Sequence, residues 1–420
     1  MNIQKKRSNR VFIVHFVLWL VLSIWVIRLL IPMLEYGSPF GILIPTIENG
    51  YSKDGLKIVD FPFHFNFVQK VWRRETTVSS GSSIYSVENH LKVTSDWAGK
   101  KVSRSLHFGY SPTMLWILAP LVPFSPATAY FLFNLAGLFA VFWLTRPNRC
   151  RWGTGLLIFF SPLAQLCFVL GQTSLLTGAG LLYLAEKNRP DSYDNGWRNP
   201  IISGSVLWAL TAKPPIALTA VLVLMSLRRW QTIFAAAIFT VISTLIISPW
   251  LGANWMNDYI HLLRAYNQID AGPVFSWSIS PDIMANFRAI MNVDFGFSDN
   301  IASYTSGIIW LIVLATLVIY GSRFRLSAAT LWSMGILSYL LFCPHVGSTE
   351  VLQVIVILSL CVSPKDKLTW QELALFIALP SLVFISPAPG FLYGIHLPLF
   401  LAQLLLFLFI PMACSKKIFH

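Results

Sequence analysis

The chain has 420 residues, 55% of them hydrophobic and 12% charged, with a mean hydropathy of +0.63 and a formal net charge of +13. A soluble domain carries roughly 25% charged residues, so this composition, spread over many long apolar runs, excludes a soluble enzyme and describes an all-α polytopic membrane protein. The basic excess lies at span ends, where it marks the cytoplasmic side; nucleic-acid binding would need a basic, aromatic-bearing soluble domain, and there is none.

Met1–Arg10 carries Lys5, Lys6, Arg7 and Arg10, and the apolar stretch Val11–Leu34 follows, interrupted only by His15 and Arg28. It is too long for a signal-peptide core and lacks a small-residue cleavage site, so the expectation is a retained first span with its N-terminus in the cytoplasm. Residues 35–111 form the longest polar insert, read as a first extracytoplasmic loop. Within it Val59–Arg74 places Phe63, Phe67, Val68, Val71 and Trp72 at helical spacing, which predicts an amphipathic helix lying on the membrane surface. Ser79–Ser83 reads as a polar loop, and Ile84-Tyr85-Ser86 with the residues after it as an irregular connection.

Phe108-Gly109-Tyr110-Ser111-Pro112 opens a short apolar run to Val122, and Pro123 and Pro126 bracket a turn. Spans are then expected at Ala127–Thr145, Trp152–Leu170 and Ser174–Ala185. Ile201–Ala212 and Ile216–Leu227 read as two short halves around Lys213-Pro214-Pro215, followed by a span at Trp230–Trp250. Residues 251–300 form a second extracytoplasmic loop. Further spans follow at Ile301–Ser322, Leu326–Phe342, Val351–Val362, Glu372–Ser386 and Ile395–Met412. The total is about 11–13 membrane segments in one integral-membrane domain, residues 1–420. The positive-inside rule puts Arg146/Arg149/Arg151, Lys187/Arg189/Arg198, Arg228/Arg229, Arg323/Arg325, Lys365/Lys367 and Lys416/Lys417 in the cytoplasm. The two inserts, Gly171-Gln172, Lys213, Cys343–Thr349 and Ala388–Gly394 then share the outer face. Parity strains at one place: with the first insert outside and Arg146 inside, Ser111–Phe124 is either re-entrant, or Arg146–Arg151 is an exception to the rule.

The five cysteines (Cys150, Cys167, Cys343, Cys361, Cys414) sit in or beside spans without CxxC pairing, so neither zinc nor a disulfide framework is argued. No P-loop, GxGxxG, HExxH or EF-hand pattern occurs, and no metal or cofactor is called for. Among chemistry-bearing residues, Asp60 stands out. An ordinary loop aspartate is solvated or a cap, but this one directly precedes the expected surface helix, whose dipole favours a carboxylate there. A carboxylate held at the bilayer boundary is suited to act as a general base on a hydroxyl. His64, one turn further, shares its face. Lys213, between two apolar halves, is either a lysine snorkelling to headgroups from a helix break or a phosphate contact. Gly171-Gln172-Thr173-Ser174 breaks a hydrophobic hairpin. Phe342-Cys343-Pro344-His345 continues to Glu350 and places His345 and Glu350 in a short outer loop. In the second insert Asn254, Trp255, Tyr259, His261, Tyr266, Trp277 and Asp282 suit sugar faces, though an interfacial aromatic belt is the plainer reading.

Taken in order, the Asp60-aromatic motif, Ile84-Tyr85, Phe108-Gly109-Tyr110-Ser111-Pro112, Gly171-Gln172, Lys213-Pro214 and Cys343-Pro344-His345 resemble the integral-membrane GT-C glycosyltransferases. The likeness is to the polyprenyl-phosphate-mannose-dependent group that includes the phosphatidylinositol-mannoside mannosyltransferases, and it runs from about residue 11 to 360. The resemblance implies an inverting transfer of a sugar, mannose first, from a polyprenyl-phosphate donor to a lipid or glycan acceptor on the outer face, with no nucleotide site. It makes Asp60 the general base and puts Gln172 and Lys213 against sugar or phosphate. Tyr85, Tyr110, His64, His345 and Glu350 complete the substrate-binding set. The chain departs from the group at Phe63-His64, where a tyrosine pair is usual, and at Tyr110-Ser111-Pro112, where Tyr-Pro-Pro is usual; both bear on the sugar more than on the reaction. Two rival classes remain. A lipid-linked glycan flippase would need a polar central pathway, and a polysaccharide polymerase or ligase would rely on loop arginines, of which the second insert holds only Arg264 and Arg288.

Overall fold

A computed structural model describes residues 60–75, 83–98, 108–144, 167, 171–188, 197–265, 286–324, 326–344, 346, 350 and 352–353. The expected spans at 11–34, 152–170, 372–386 and 395–412 lie wholly or almost wholly outside them, as does most of 351–362. Every regular element among the described residues is helical. In chain order they are α1 (Asp60–Trp72), α2 (Val87–Ala98), α3 (Thr113–Leu118, continued by a 3-10 turn, Ala119–Leu121) and α4 (Pro126–Leu144). Next come α5 (Ser174–Lys187), α6 (Arg198–Leu210), α7 (Pro214–Ser226), α8 (Trp230–Leu251) and α9 (Trp255–Ala265). A helical turn at Phe287–Ala289 runs into a π-helix at Ile290–Asp294, and α10 (Asp299–Phe324) and α11 (Ala328–Phe342) follow.

Three of these helices are long and apolar enough to cross a membrane: α4, α8 and α10, with 19, 22 and 26 residues, or roughly 30–40 Å of helix. Each keeps an apolar outer face, including Leu135 and Phe139 on α4, Val241 and Leu245 on α8, and Ile308 and Ile312 on α10. Apolar surface on that scale belongs against lipid rather than water. The molecule is an all-α membrane protein.

α6, α7 and α8 run up, down and up through the bundle, and the break between α6 and α7 is made at Lys213. Lys213 is extended (φ −116, ψ 90), and Pro214 opens α7, where a missing N–H costs nothing. α6 and α8 pack closely because Gly204 has no side chain; a Cβ there would lie 2.5 Å from that of Ala235. α10 and α11 close against α7, burying Trp332, Leu314 and Leu340 in the bundle core.

A second apolar cluster sits at one end of the bundle and joins both inserts to it. Phe61, Phe65, Phe67, Val68 and Val71 of α1 pack with Ile84, Tyr85, Phe108, the residues of α3, Tyr130 and Phe133 of α4, Leu251 and Leu262. The structure corrects two expectations here. α1 spans the expected residues but does not lie free on the membrane: its apolar side chains are buried in protein, Gln69 donates to the Val122 and Phe124 carbonyls, and the Trp72 indole donates to Leu115. The stretch after Ser86 is a helix, α2, opened by the Ser86 hydroxyl accepting from the Asn89 N–H. Trp255 and Tyr259 pack their rings against Tyr85 at tilted angles, with centroids 6.5 and 4.8 Å away. The run after Ser111 also resolves. α3 and its 3-10 turn hold nine helical residues, roughly half the length that a crossing needs, so this segment is not a span.

Candidate active site

The turns that break the bundle helices converge on the N-terminal end of α1. Gly171 adopts a left-handed conformation (φ +64), which a side chain disfavours. It also presses its α-carbon on Phe61, so a Cβ there would lie 2.3 Å from the Phe61 Cβ. The Gly171-Gln172 turn therefore abuts the first turn of α1, whose first residue is Asp60. Asp60 is placed by its backbone at the positive end of that helix; its side chain lies outside the described residues.

The Tyr110-Ser111-Pro112 motif docks on the turn that carries Lys213. The Ser111 hydroxyl donates to the Thr211 carbonyl at 2.7 Å, the Ser111 N–H donates to Ala212 at 3.3 Å, and Thr113 and Thr211 share a hydrogen bond of 2.7 Å. Tyr110 in turn meets His64 edge-on at 5.0 Å between ring centroids. His64 feels Lys213 across this contact: burial first, then the Lys213 charge, lower its imidazole from 6.5 to about 3. His64 is thus neutral at physiological pH and offers a hydrogen-bonding ring rather than a cation.

Lys213 is held on its other side. Its ammonium donates to Glu350 Oε1 at 2.6 Å with both side chains largely buried, and the Tyr339 hydroxyl donates to the other carboxylate oxygen. Glu350 is therefore not a loop acid facing solvent but the buried counter-ion of Lys213. An ammonium has three N–H donors; one is engaged by Glu350. Close by, Gln353 caps this end, its amide donating to the Thr177 hydroxyl at 2.9 Å and the Ser174 carbonyl at 3.3 Å.

Tyr85 is fully buried. Its hydroxyl donates to the Tyr110 carbonyl at 3.1 Å, and burial raises its pKa well above 10, so it stays a donor. The Tyr259 hydroxyl donates to Gly109 at 3.3 Å from the second insert. Gln172 is half-buried, its N–H donating to Cys167. His345 lies outside the described residues, but Pro344 before it is fixed by Arg288, whose guanidinium donates to the Pro344 carbonyl at 2.7 Å and to Asp299 at 2.6 Å. Sequence reasoning assigned no role to Arg288, Tyr339, Thr211 or Gln353. The usable signals were slight: a lone polar residue within an apolar run at Tyr339 and at Gln353. Arg288 carried none, because its partners sit 11 and 56 residues away. Among the described residues no group of three His, Cys, Asp or Glu side chains is placed to hold a metal.

The site gathers the start of α1, where Asp60 stands, a neutral histidine and a buried lysine at one end of a membrane bundle. The model of glycosyltransferase family 87 matches residues 108–344, more than half of the chain. The chain belongs to glycosyltransferase family 87. No curated protein and no solved structure matches it. The family 87 match covers the Tyr110 motif, Gly171-Gln172, Lys213 and Pro344, whereas Asp60, His64 and Tyr85 precede it and Glu350 follows it. The family makes the protein a membrane glycosyltransferase and removes the flippase reading.

Proposed function

We propose that this family 87 enzyme transfers a sugar, with mannose as the first candidate, from a polyprenyl-phosphate donor to a lipid or glycan acceptor by single displacement. The fold is of the GT-C kind. In this reading Asp60 takes the proton of the acceptor hydroxyl as its oxygen attacks the anomeric carbon. The bond from that carbon to the phosphate oxygen breaks, and its electron pair leaves with the phosphate. Lys213, through donors not engaged by Glu350, stabilises the departing phosphate. Neutral His64 and Tyr110 position hydroxyls, while Tyr85 acts through the Tyr110 backbone. Gln172 and His345 border the sugar.

The observation that carries the reading is the contact of Gly171 on Phe61, which sets the Gly171-Gln172 turn against the residue next to Asp60. The lipid donor is supported by the apolar outer faces of α4, α8 and α10, along which a polyprenyl tail can lie. Basic residues Lys187, Arg198, Arg228 and Arg323 sit at the opposite end of the bundle from this site, which favours an extracytoplasmic active site. Incubating the purified protein with labelled polyprenyl-phosphate mannose and a membrane-lipid acceptor tests the donor. Transfer is expected, and Asp60→Asn is expected to lower it by about 10²–10⁴-fold. Full activity in a folded Asp60→Asn protein would sink the assignment of the base.

A further inference from the structure

Phe108-Gly109-Tyr110-Ser111 belongs to no helix, yet Phe108 and Ser111 are buried and Gly109 and Tyr110 half-buried. Such a segment has no hydrogen-bond ladder of its own, so its backbone groups must find partners elsewhere. Three of them find side chains. The Tyr85 hydroxyl donates to the Tyr110 carbonyl at 3.1 Å, and the Tyr259 hydroxyl of α9 donates to the Gly109 carbonyl at 3.3 Å. From α2, His90 Nδ1 accepts from the Phe108 N–H at 3.3 Å. His90 is fully buried, and the Phe67 ring lies against both His90 and Phe108, with centroids 4.9 and 4.8 Å away. An imidazole that accepts at Nδ1 carries no proton there, so the bond fixes the tautomer, with the proton of the neutral ring on Nε2.

The segment held in this way carries two walls of the candidate site. Phe108 and Tyr110 both meet the His64 ring edge-on, at 5.7 and 5.0 Å between centroids. At its far end the Ser111 hydroxyl donates to Thr211 and the Ser111 N–H to Ala212, the residues just before Lys213. A shift of the backbone at Phe108 therefore moves both rings against His64 and strains the contact with the Lys213 turn.

We infer that His90 is a positioning residue for sugar transfer: by accepting from the Phe108 N–H it sets the Phe108–Ser111 segment so that Tyr110 stands against His64 beside the Lys213 turn. Tyr259 shares the task from α9 through Gly109. The inference rests on the sugar-transfer reading, in which Tyr110 and His64 position hydroxyls. A residue of this kind contributes through alignment, where a displacement on the order of 1 Å can cost about a hundredfold in rate.

The test compares His90→Leu, which removes the acceptor, with His90→Asn, whose amide oxygen can accept from the Phe108 N–H in place of Nδ1. Both are assayed as full-length protein in detergent with labelled polyprenyl-phosphate mannose and a membrane-lipid acceptor, and their unfolding midpoints are measured alongside. In folded His90→Leu, kcat should fall by about tenfold or more while KM changes less than about threefold, and His90→Asn should recover most of the loss. A residue that only stabilised the fold would lower the unfolding midpoint and leave kcat of the folded protein as it was. Amide hydrogen exchange over residues 108–111 needs no substrate; it should quicken in His90→Leu and return toward the wild-type rate in His90→Asn. Tyr259→Phe deletes one hydroxyl and keeps the ring, and it should lower kcat and quicken exchange in the same sense. Wild-type kcat in folded His90→Leu, or a His90→Asn protein no better than His90→Leu, would overturn the inference. Should His90→Leu not fold, wild-type kcat and exchange in Tyr259→Phe would overturn it instead. A wild type that transfers nothing from this donor would remove the donor reading, and exchange would still decide whether His90 holds the segment.

Discussion

The Lys213 ammonium and the Glu350 carboxylate meet at 2.6 Å across 137 residues of sequence, in the interior of a membrane protein, with Tyr339 donating to the same carboxylate. A buried charge that loses its partner is far more costly than a pair replaced by apolar side chains. The pair thus fixes the charge of Lys213 and the position of Glu350 together.

Glu350→Gln leaves the ammonium without its counter-ion and is expected to cost on the order of 3 kcal/mol, read as a lowered unfolding midpoint in detergent. Replacing both members, Lys213→Met with Glu350→Leu, should recover part of that stability while sugar transfer stays lost. Recovered activity in the double variant would remove Lys213 from the chemistry.

Gly171→Ala meets two obstacles, the left-handed backbone (φ +64) and the Phe61 Cβ at 2.3 Å. Together they should cost roughly 1–3 kcal/mol and push the first turn of α1 away. Transfer should fall with it, most clearly in kcat. Gly296→Ala is the control: its φ is +70 but nothing lies within 4 Å of the new methyl, so it bears the backbone term alone, about 1 kcal/mol, and activity should be kept.

His64 supplies a pH signature. Its folded pKa, about 3, lies below the ordinary 6.5, so between those values the unfolded chain binds a proton that the folded protein does not. Stability from the neutral, buried ring is therefore complete above about pH 6.5 and is lost as pH falls toward 3. Unfolding midpoints measured from pH 7 to pH 4 should decline in the wild type and decline less in His64→Phe. The same slope in both would show that other groups dominate acid sensitivity.

Arg288 is buried and joins Asp299, at the start of α10, to the Pro344 carbonyl. Arg288→Met removes two hydrogen bonds to Asp299 and one to Pro344 and leaves Pro344 without that anchor. A stability loss of about 2–4 kcal/mol is expected. If that loop borders the substrate, KM should rise more than kcat falls. A variant with wild-type stability would show that the loop holds itself.

Much of the architecture was legible because lipid imposes a simple code. The apolar runs Ala127–Thr145, Trp230–Trp250 and Ile301–Ser322 announced α4, α8 and α10 within a few residues, since a spanning helix must satisfy its backbone internally and show apolar side chains outward. Pro214 and Pro215 likewise announced the break at Lys213. Helix α2 was missed: Val87-Glu88-Asn89-His90 begins a polar, amphipathic segment whose helix depends on the cap at Ser86 and on burial of Val93 and His90. The aromatic residues of α1 were read at helical spacing, but whether lipid or protein would cover them was not in the spacing.

By itself the sequence determined that this protein is a bundle of membrane helices broken by two polar inserts, with Asp60, Gly171-Gln172 and Lys213 at its interruptions. Local composition suffices for that, because hydropathy, proline and glycine act on the chain within a few residues. Only the tertiary structure decided what those interruptions face. It turned Glu350 from an outer-loop acid into the partner of Lys213, made His64 a neutral ring, and set Gly171 on Phe61. Each of these depends on contacts between residues dozens to more than a hundred positions apart, and on the low dielectric that exists only once those residues are buried together.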